Sequence, residues 1–492
     1  MIQHLPALIV FTPFFAALLC PLLSAKSKTV GRWFVTMCTG VSLVLSILQI
    51  AMIVKEGKAA YWFGGWVPPY GIEFAVDSLS AVIMILICVI GFLTMLYGMP
   101  FMKDDTKERL SGYYAILSLL VSGLLGMTAT GDVFNLYVFL EITSLSGYVL
   151  IAMGGDKGII SAFRYLLLGT IGASFYLLGV AFIYGETGTL NMVDMSGLVG
   201  PVLSSGTTMI AMIFILLGFG IKMALFPLHG WQPEAHTNAH PGADPIIAGL
   251  MVKIPAYVLI RFFFFVFDVH VDHVRYLLVL MGVMASVGII YGSIRAIAQK
   301  DIRKMLAYSS VGQLGYIGLG IAMGNYYGLI GAVLHIINHS FMKSALFFGS
   351  GALKYRYGLV ELDRLGQIYK KMPKTMAVMI ICALSMIGIP PTAGFFSKWY
   401  LALGAVEGNN FIFVAVLIAS SLLNAVYFFR FFEKIFMGKD VERIEKHPEE
   451  TRELPWHMML PLVICGIGIL ALGFFNTAFV DVLSSVMMGV VE

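Results

Sequence analysis

The sequence predicts an all-α integral membrane protein of about fourteen transmembrane helices, and three observations predict it. First, 59% of its 492 residues are hydrophobic and only 12% are charged, about half the charged share of an ordinary soluble domain. The mean hydropathy of +0.87 says the same. Second, apolar stretches of about 20 residues, the length that spans a bilayer as a helix, recur along the whole chain. Third, Lys and Arg gather in every second connection between those stretches, which is the signature of a fixed orientation across a membrane. Together these exclude a soluble globular protein. A net charge of +4 without a long polar segment to carry it excludes a nucleic-acid partner.

The opening MIQHLPALIVFTPFF has no Lys or Arg ahead of its apolar run, so it reads as a membrane helix rather than a secretory signal. It gives span 1 (3–24), and spans 2 (34–54) and 3 (74–99) complete an N-terminal unit of three helices over 1–110. Spans 4 to 8 follow at 111–129, 133–153, 159–185, 207–229 and 243–267, within a unit over 111–268. Spans 9 to 13 lie at 276–294, 304–323, 326–353, 375–402 and 410–433, within a unit over 269–437. A loop and span 14 (456–487) fill 438–492. Two spans are broken: Pro227, Gly230 and Pro233 end span 7, and Gly388, Pro390, Pro391 and Gly394 interrupt span 12. Broken helices are tolerated in a bilayer only where protein or water satisfies the freed backbone, which marks an ion path. The breaks are five spans apart, and a shift of five helices reverses direction, so spans 4 to 8 and 9 to 13 read as two inverted five-helix repeats.

The basic connections follow spans 1, 3, 5, 9, 11 and 13 and hold 24 of the 32 Lys and Arg, among them Lys26, Lys103, Arg303, Lys370 and the run Arg443, Lys446, Arg452. The other face has Lys55, Lys58, Arg261 and Arg275. Fourteen spans keep this asymmetry, and both termini then lie on the extracytoplasmic side of the cell (inner) membrane. The connection between spans 7 and 8, HGWQPEAHTNAHPGADP, has no Lys or Arg and is expected to pack into the protein.

Four lysines, Lys222, Lys253, Lys343 and Lys398, fall within apolar spans. A charge at a helix centre costs at least about 3 kcal/mol on insertion scales, so such residues are functional candidates. Lys343 has an alternative, since it is about ten residues from a basic connection and its stem can snorkel. Glu141, in FNLYVFLEITSLSGYVL, is the one carboxylate deep in a span and must be protonated, hydrated or paired. A Glu and Lys pair of adjustable separation can hold or release a proton, and a fixed ion pair between helices is the simpler alternative. His335 and His339 are four apart on one helix face with Lys343 four further on, a spacing that suits a proton relay. No carboxylate or Cys is placed to complete a metal shell around the two histidines. The five cysteines, Cys20, Cys38, Cys88, Cys382 and Cys465, are scattered through apolar runs, which excludes an iron–sulfur or disulfide framework. GxGxxG after a strand, a P-loop and CxxC are also missing, so no cofactor and no redox chemistry are expected on this chain itself.

The segments FNLYVFLEITSLSGY, KMALFPLHGWQPEAH with VKIPAYVLIRF, DIRKMLAYSSVGQLGY, HIINHSFMKSALFFGSG and GIPPTAGFFSKW make the chain resemble the antiporter-like subunits shared by respiratory complex I, membrane-bound hydrogenases and multisubunit Mrp-type sodium/proton antiporters. The resemblance implies a fourteen-helix core with broken helices 7 and 12. It implies roles for Glu141 and Lys222 as a carboxylate–lysine pair, Lys253 as the central lysine, His335 and His339 as the histidines of the eleventh helix, and Lys398 as the terminal group of the twelfth. PLHGWQPEAH is similar to the family's PLHTWLPDAH, so His229, Glu234 and His236 structure the turn after helix 7, and His240 and Asp244 depart from the family pattern. These five residues form either a structural turn or a polar cluster on the proton-uptake side. IPPTAGFFSKW carries Lys398 as its ionisable residue, which suits an Mrp D-type chain, a complex I N-type chain or a hydrogenase counterpart better than a complex I M-type chain, and the D-type is the reading preferred. The implied partners are other membrane subunits, the lipid bilayer, protons and, as a further candidate, sodium. An organic-solute transporter is disfavoured because the buried polar set is titratable rather than a binding pocket. A quinone or flavin enzyme is disfavoured for want of a cofactor motif.

Overall fold

A computed structural model describes residues 2–358, 360–439 and 453–491 of the chain, so Arg443, Lys446 and Arg452 of the expected basic loop lie outside the described residues. The membrane helices are α1 (Leu5–Lys26), α2 (Lys28–Glu56), α3 (Ser78–Tyr97), α4 (Lys107–Ala129), α5 (Val133–Ala152), α6 (Asp156–Thr187), α7 (Gly206–Lys222), α8 (Asp244–Val266), α9 (Asp272–Ile297), α10 (Ile302–Ala322), α11 (Tyr326–Tyr357), α12 (Pro373–Ile387), α13 (Ala393–Glu407), α14 (Phe411–Met437), α15 (Trp456–Phe474) and α16 (Asn476–Val491). Among the described residues eleven of these are long and apolar enough to cross a membrane. The chain is therefore a multi-pass membrane protein. α7 and α12 are shorter apolar helices, and α10 has 21 residues but carries a strip of polar side chains.

Both expected breaks are present. α7 stops at Lys222, seven residues before the expected end of span 7, because Ala224 takes a left-handed conformation (φ 56°) and Leu225 and Ala224 donate back to Gly220 and Ile221, a termination that satisfies the last carbonyls. Span 12 divides into α12 and α13 at Gly388 (φ 95°), Pro390 and Pro391. α8 is continuous in direction but irregular, with π-helical turns at Ile247–Met251 and Arg261–Val266. The first precedes Pro255, whose missing N–H and ring disturb the ladder one turn back.

α8 and α11 are almost wholly enclosed, and α2 and α14 show most of their surface outward. The outer surface is a belt of large apolar residues such as Phe15, Leu22, Val44, Phe163 and Leu422, as the hydrocarbon of a bilayer requires. Inside that belt the helices gain little from apolar burial alone and depend on close packing. α6 and α7 meet at Gly172 and Gly218, where a Cβ on Gly218 would lie 2.7 Å from the Gly172 carbonyl oxygen. This contact presses Lys222 toward α5 and α6. One element departs from the all-α expectation: Ala59–Trp62 pairs antiparallel with Glu73–Val76, a hairpin between α2 and α3 built from short alternating runs.

Candidate proton-relay site

Lys222 is the last residue of α7, where the carbonyl end of a helix favours a cation. It is 2% exposed, and its Nζ donates to Ser144 Oγ (2.6 Å) and Tyr148 OH (3.4 Å) of α5. The ammonium lies 5.8 and 5.9 Å from the ring centres of Tyr148 and Tyr165. Tyr165 stacks on Trp231 at 3.7 Å, and Trp231 Nε1 donates to the Ile221 carbonyl, so the turn after α7 closes over the lysine. Glu141 is half-buried, and among the described residues it makes no ion pair with Lys222. It lies on the same face of α5 as Ser144 and Tyr148, and within Coulombic range of Lys222. Two hydroxyls, and not the carboxylate expected from the sequence, thus take the hydrogen bonds of the ammonium. Spacings of three and seven residues from Glu141 would have identified them.

Gly169 permits this arrangement, since a Cβ there would sit 2.1 Å from Tyr148 OH and 3.3 Å from Lys222 Nζ. Gly169→Ala should displace the Tyr148 hydroxyl and lower transport about tenfold, the equivalent of one charge-assisted hydrogen bond. Transport rates in membranes with matched amounts of assembled complex test this.

Lys253 is fully buried in α8. Its Nζ donates to the Ala248 carbonyl in the π-helical turn, so the side chain satisfies backbone that the irregular helix leaves unpaired. Lys343, on α11, donates to the Leu306 carbonyl (2.7 Å) and to Ser309 Oγ, and does not snorkel. His339 and His335 stack with ring centres 5.6 Å apart. His335 Nε2 donates to Gln313 Oε1 (2.9 Å), which leaves Nδ1 facing the Ser397 hydroxyl (3.0 Å). Neither ring nitrogen of His339 has a protein partner among the described residues. Lys253 is within Coulombic range of His335, His339 and Lys343. Lys398, on α13, donates to the Met386 (3.0 Å) and Ile387 (2.9 Å) carbonyls at the end of α12 and to Ser421 Oγ (3.3 Å). Its ammonium is 5.0 Å from the Tyr316 ring centre, and Tyr316 is 5.3 Å from His335.

α10 lines this series turn by turn. Ser309, Gln313 and Tyr316, spaced four and three apart, serve Lys343, His335 and Lys398 in order. Sequence reasoning missed them, although their helical spacing was available in SSVGQLGY. The polar strip continues through Tyr316 OH and Ser420 Oγ (2.5 Å) to Asn424 and Tyr427. Among the described residues none of the buried Lys222, Lys253 and Lys343, nor the half-buried Lys398, is in an ion pair.

The connection between spans 7 and 8 packs inside the protein, with Trp231, Gln232, His236 and Asp244 at 1% exposure or less. It holds a group the charge count concealed. Arg303, assigned from the sequence to a basic connection, is buried in the first turn of α10 and donates to Asp244 Oδ2 (2.7 Å). His236 Nδ1 is 3.3 Å from Asp244 Oδ1. Arg303 also donates to the His236 and Ala239 carbonyls. The other candidates of this segment do not join them. Glu234 pairs on the surface with Arg164 (2.6 Å), His229 packs against Phe226 and Tyr291, and His240 accepts from the Gly242 N–H. Pro227, Pro390 and Pro391 stand at the breaks, and Gly394 N–H donates to Ser385 Oγ across the second one.

Toward the other end of α8, Arg261 donates to both carboxylate oxygens of Asp77 (2.6 and 2.5 Å). Burial raises the Asp77 carboxyl, but the guanidinium beside it and the Ser80 N–H more than offset this and hold it at about 2.

Residues 130–424 match the family described as NADH:quinone oxidoreductase/Mrp antiporter, TM, and residues 69–110 match NADH-ubiquinone oxidoreductase (complex I), chain 5 N-terminus. Relatives include the N subunit of the NADH-quinone oxidoreductase of Desulforudis audaxviator, 44% identical over 490 residues and covering 98% of each chain. The D subunit of the Na+/H+ antiporter of Bacillus subtilis is 30% identical over 435 residues, 86% of this chain and 87% of that one. Among solved structures, a chain of the membrane-bound sulfane sulfur reductase, an archaeal respiratory membrane complex, superposes with a TM-score of 0.90 at 28% identity, over 99% of this chain and 98% of that one. A chain of the Mrp complex from Dietzia sp. shares the fold with a TM-score of 0.88 at 22% identity, over 100% and 98%.

Proposed function

Because the chain belongs to the NADH:quinone oxidoreductase/Mrp antiporter family, we propose that it is a proton-translocating, antiporter-like subunit of a multisubunit complex in the cell (inner) membrane. One observation carries this: the buried Lys253, Lys343, His339 and His335 and the half-buried Lys398 form a series of titratable groups, lined by α10 and without a carboxylate partner among the described residues. Groups of this kind exchange protons with each other and with water when their hydration changes. A proton enters from the cytoplasmic side near His229 and His236, reaches Lys253, passes His339 and His335, and leaves outward from Lys398. The basic connections support that orientation, with both termini outside. Glu141 governs how Lys222 holds its proton through its charge, while Ser144 and Tyr148 hold the ammonium in place. Neighbouring membrane subunits supply the coupling.

Lys398 in IPPTAGFFSKW and the relatives among antiporter D subunits support an Mrp-type monovalent cation/proton antiporter. The 44% identity with an oxidoreductase N subunit supports the second reading, a complex I-type quinone oxidoreductase or hydrogenase membrane arm. Copurifying subunits distinguish the two. Glu141→Ala or Lys222→Ala should reduce proton movement by the assembled complex to background while assembly on a native gel stays intact. Full activity in both variants sinks the relay. Running the same assay against an imposed sodium gradient decides whether sodium is the counter-ion.

A further inference from the structure

Lys253, Tyr257 and Arg261 lie at successive turns on one face of α8. Beyond Arg261 is a cavity of about 470 Å³ under the Ala59–Trp62/Glu73–Val76 hairpin, lined by Glu73, Asp77, Asn191, Asp194, Tyr257 and Arg261. Tyr257 itself lines the cavity, so from Lys253 to the cavity wall is one helical turn, about 6 Å. That route is shorter than the one through two histidines to Lys398, yet the groups along it cannot carry a proton. The Tyr257 hydroxyl donates to the Thr128 carbonyl (3.1 Å) and accepts from Arg261 Nε (2.8 Å), so its hydrogen is committed to backbone. Arg261 does not deprotonate in proteins and accepts no hydrogen bond. Its guanidinium is fixed by both oxygens of Asp77 and lies 4.4 Å from the Phe265 ring centre. The pair is close to neutral as a unit, and it bars the proton by leaving it no acceptor: Arg261 has none to offer, and a proton on Asp77 would cost the bidentate ion pair.

We infer that Asp77, Arg261 and Tyr257 form a proton seal, which closes the hairpin-side cavity to Lys253 and sends its proton along the α11 branch to Lys398. Arg261 is a positioning residue in this scheme and passes no proton itself. The inference rests on the relay reading of Lys253.

Membrane vesicles holding the assembled complex, with its energy source or counter-ion withheld, are given a pH step, and the decay is followed with a pH dye. Arg261→Met, which frees the Asp77 carboxylate to accept a proton, should raise the decay rate about tenfold. Arg261→Met combined with Lys253→Leu should return it to the parental rate. Arg261→Lys, which keeps the charge, should stay within about twofold of the parent. A parental rate in assembled Arg261→Met complex overturns the seal, and so does a leak that survives the loss of Lys253. Arg261→Gln, which can still bond Asp77, carries the same expectations where the Met variant does not assemble. Driven transport in Lys253→Leu alone is scored separately. If it persists, the relay reading fails; if it is lost and Arg261→Met does not leak, only the seal fails.

Discussion

Lys253→Met should abolish proton transport by the assembled complex and at the same time leave the protein as stable as before, or more so. Lys253 is fully buried and its hydrogen bond goes to a single backbone carbonyl. Exchanging a buried charge for an apolar side chain of similar volume is commonly neutral or stabilising by about 1 to 4 kcal/mol. Methionine matches the length of the lysine stem and adapts to an irregular cavity. Two measurements on one preparation check this: initial transport rate and midpoint of thermal unfolding. Loss of both would assign Lys253 a structural role. Retained transport would remove it from the relay.

The opposite pattern is expected at the connection between α7 and α8. Asp244→Asn leaves Arg303, 1% exposed, without its countercharge, and breaking one side of a buried pair costs about 3 to 5 kcal/mol. The variant should therefore fail to accumulate as assembled complex, because that cost is a large part of the stability of a typical domain. Asp244→Leu with Arg303→Leu removes both charges and should recover assembly. Recovery with transport would make the pair a fastening of the connection against α10. Recovery without transport would add Asp244 and His236 to the proton path. A single Asp244→Asn variant that assembles at parental levels would contradict the ion pair.

The residues legible in the sequence were those whose chemistry clashes with their surroundings. Lys222, Lys253, Lys343 and Lys398 are conspicuous in apolar runs, and His335 and His339 share a face with Lys343, so their burial followed from charge and helical period alone. The two breaks were legible because Gly and Pro act on the backbone locally. Ser309, Gln313 and Tyr316 were not, since a serine, a glutamine and a tyrosine are tolerated at many helix positions, and only the packing of α10 on α11 gives them partners. Arg303 was misassigned for a related reason. Near a helix end a basic residue looks the same in sequence whether it faces water or, as here, turns inward to Asp244. The separation of Glu141 from Lys222 is a distance between helices, which no single-chain pattern encodes. The hairpin was hidden by its brevity, since four-residue strands leave little period to detect.

The two shorter hydrogen bonds of Lys398 go to main chain, and the longer one to Ser421 Oγ. Its ammonium is clasped by the last carbonyls of α12, which no side-chain substitution can delete. How firmly the terminal lysine is gripped is therefore a question of aim: a small tilt of one half-helix against the other slackens two bonds together. Such a joint converts displacement into chemistry, and a neighbouring subunit that leans on α12 has a lever on the last step without touching a titratable group.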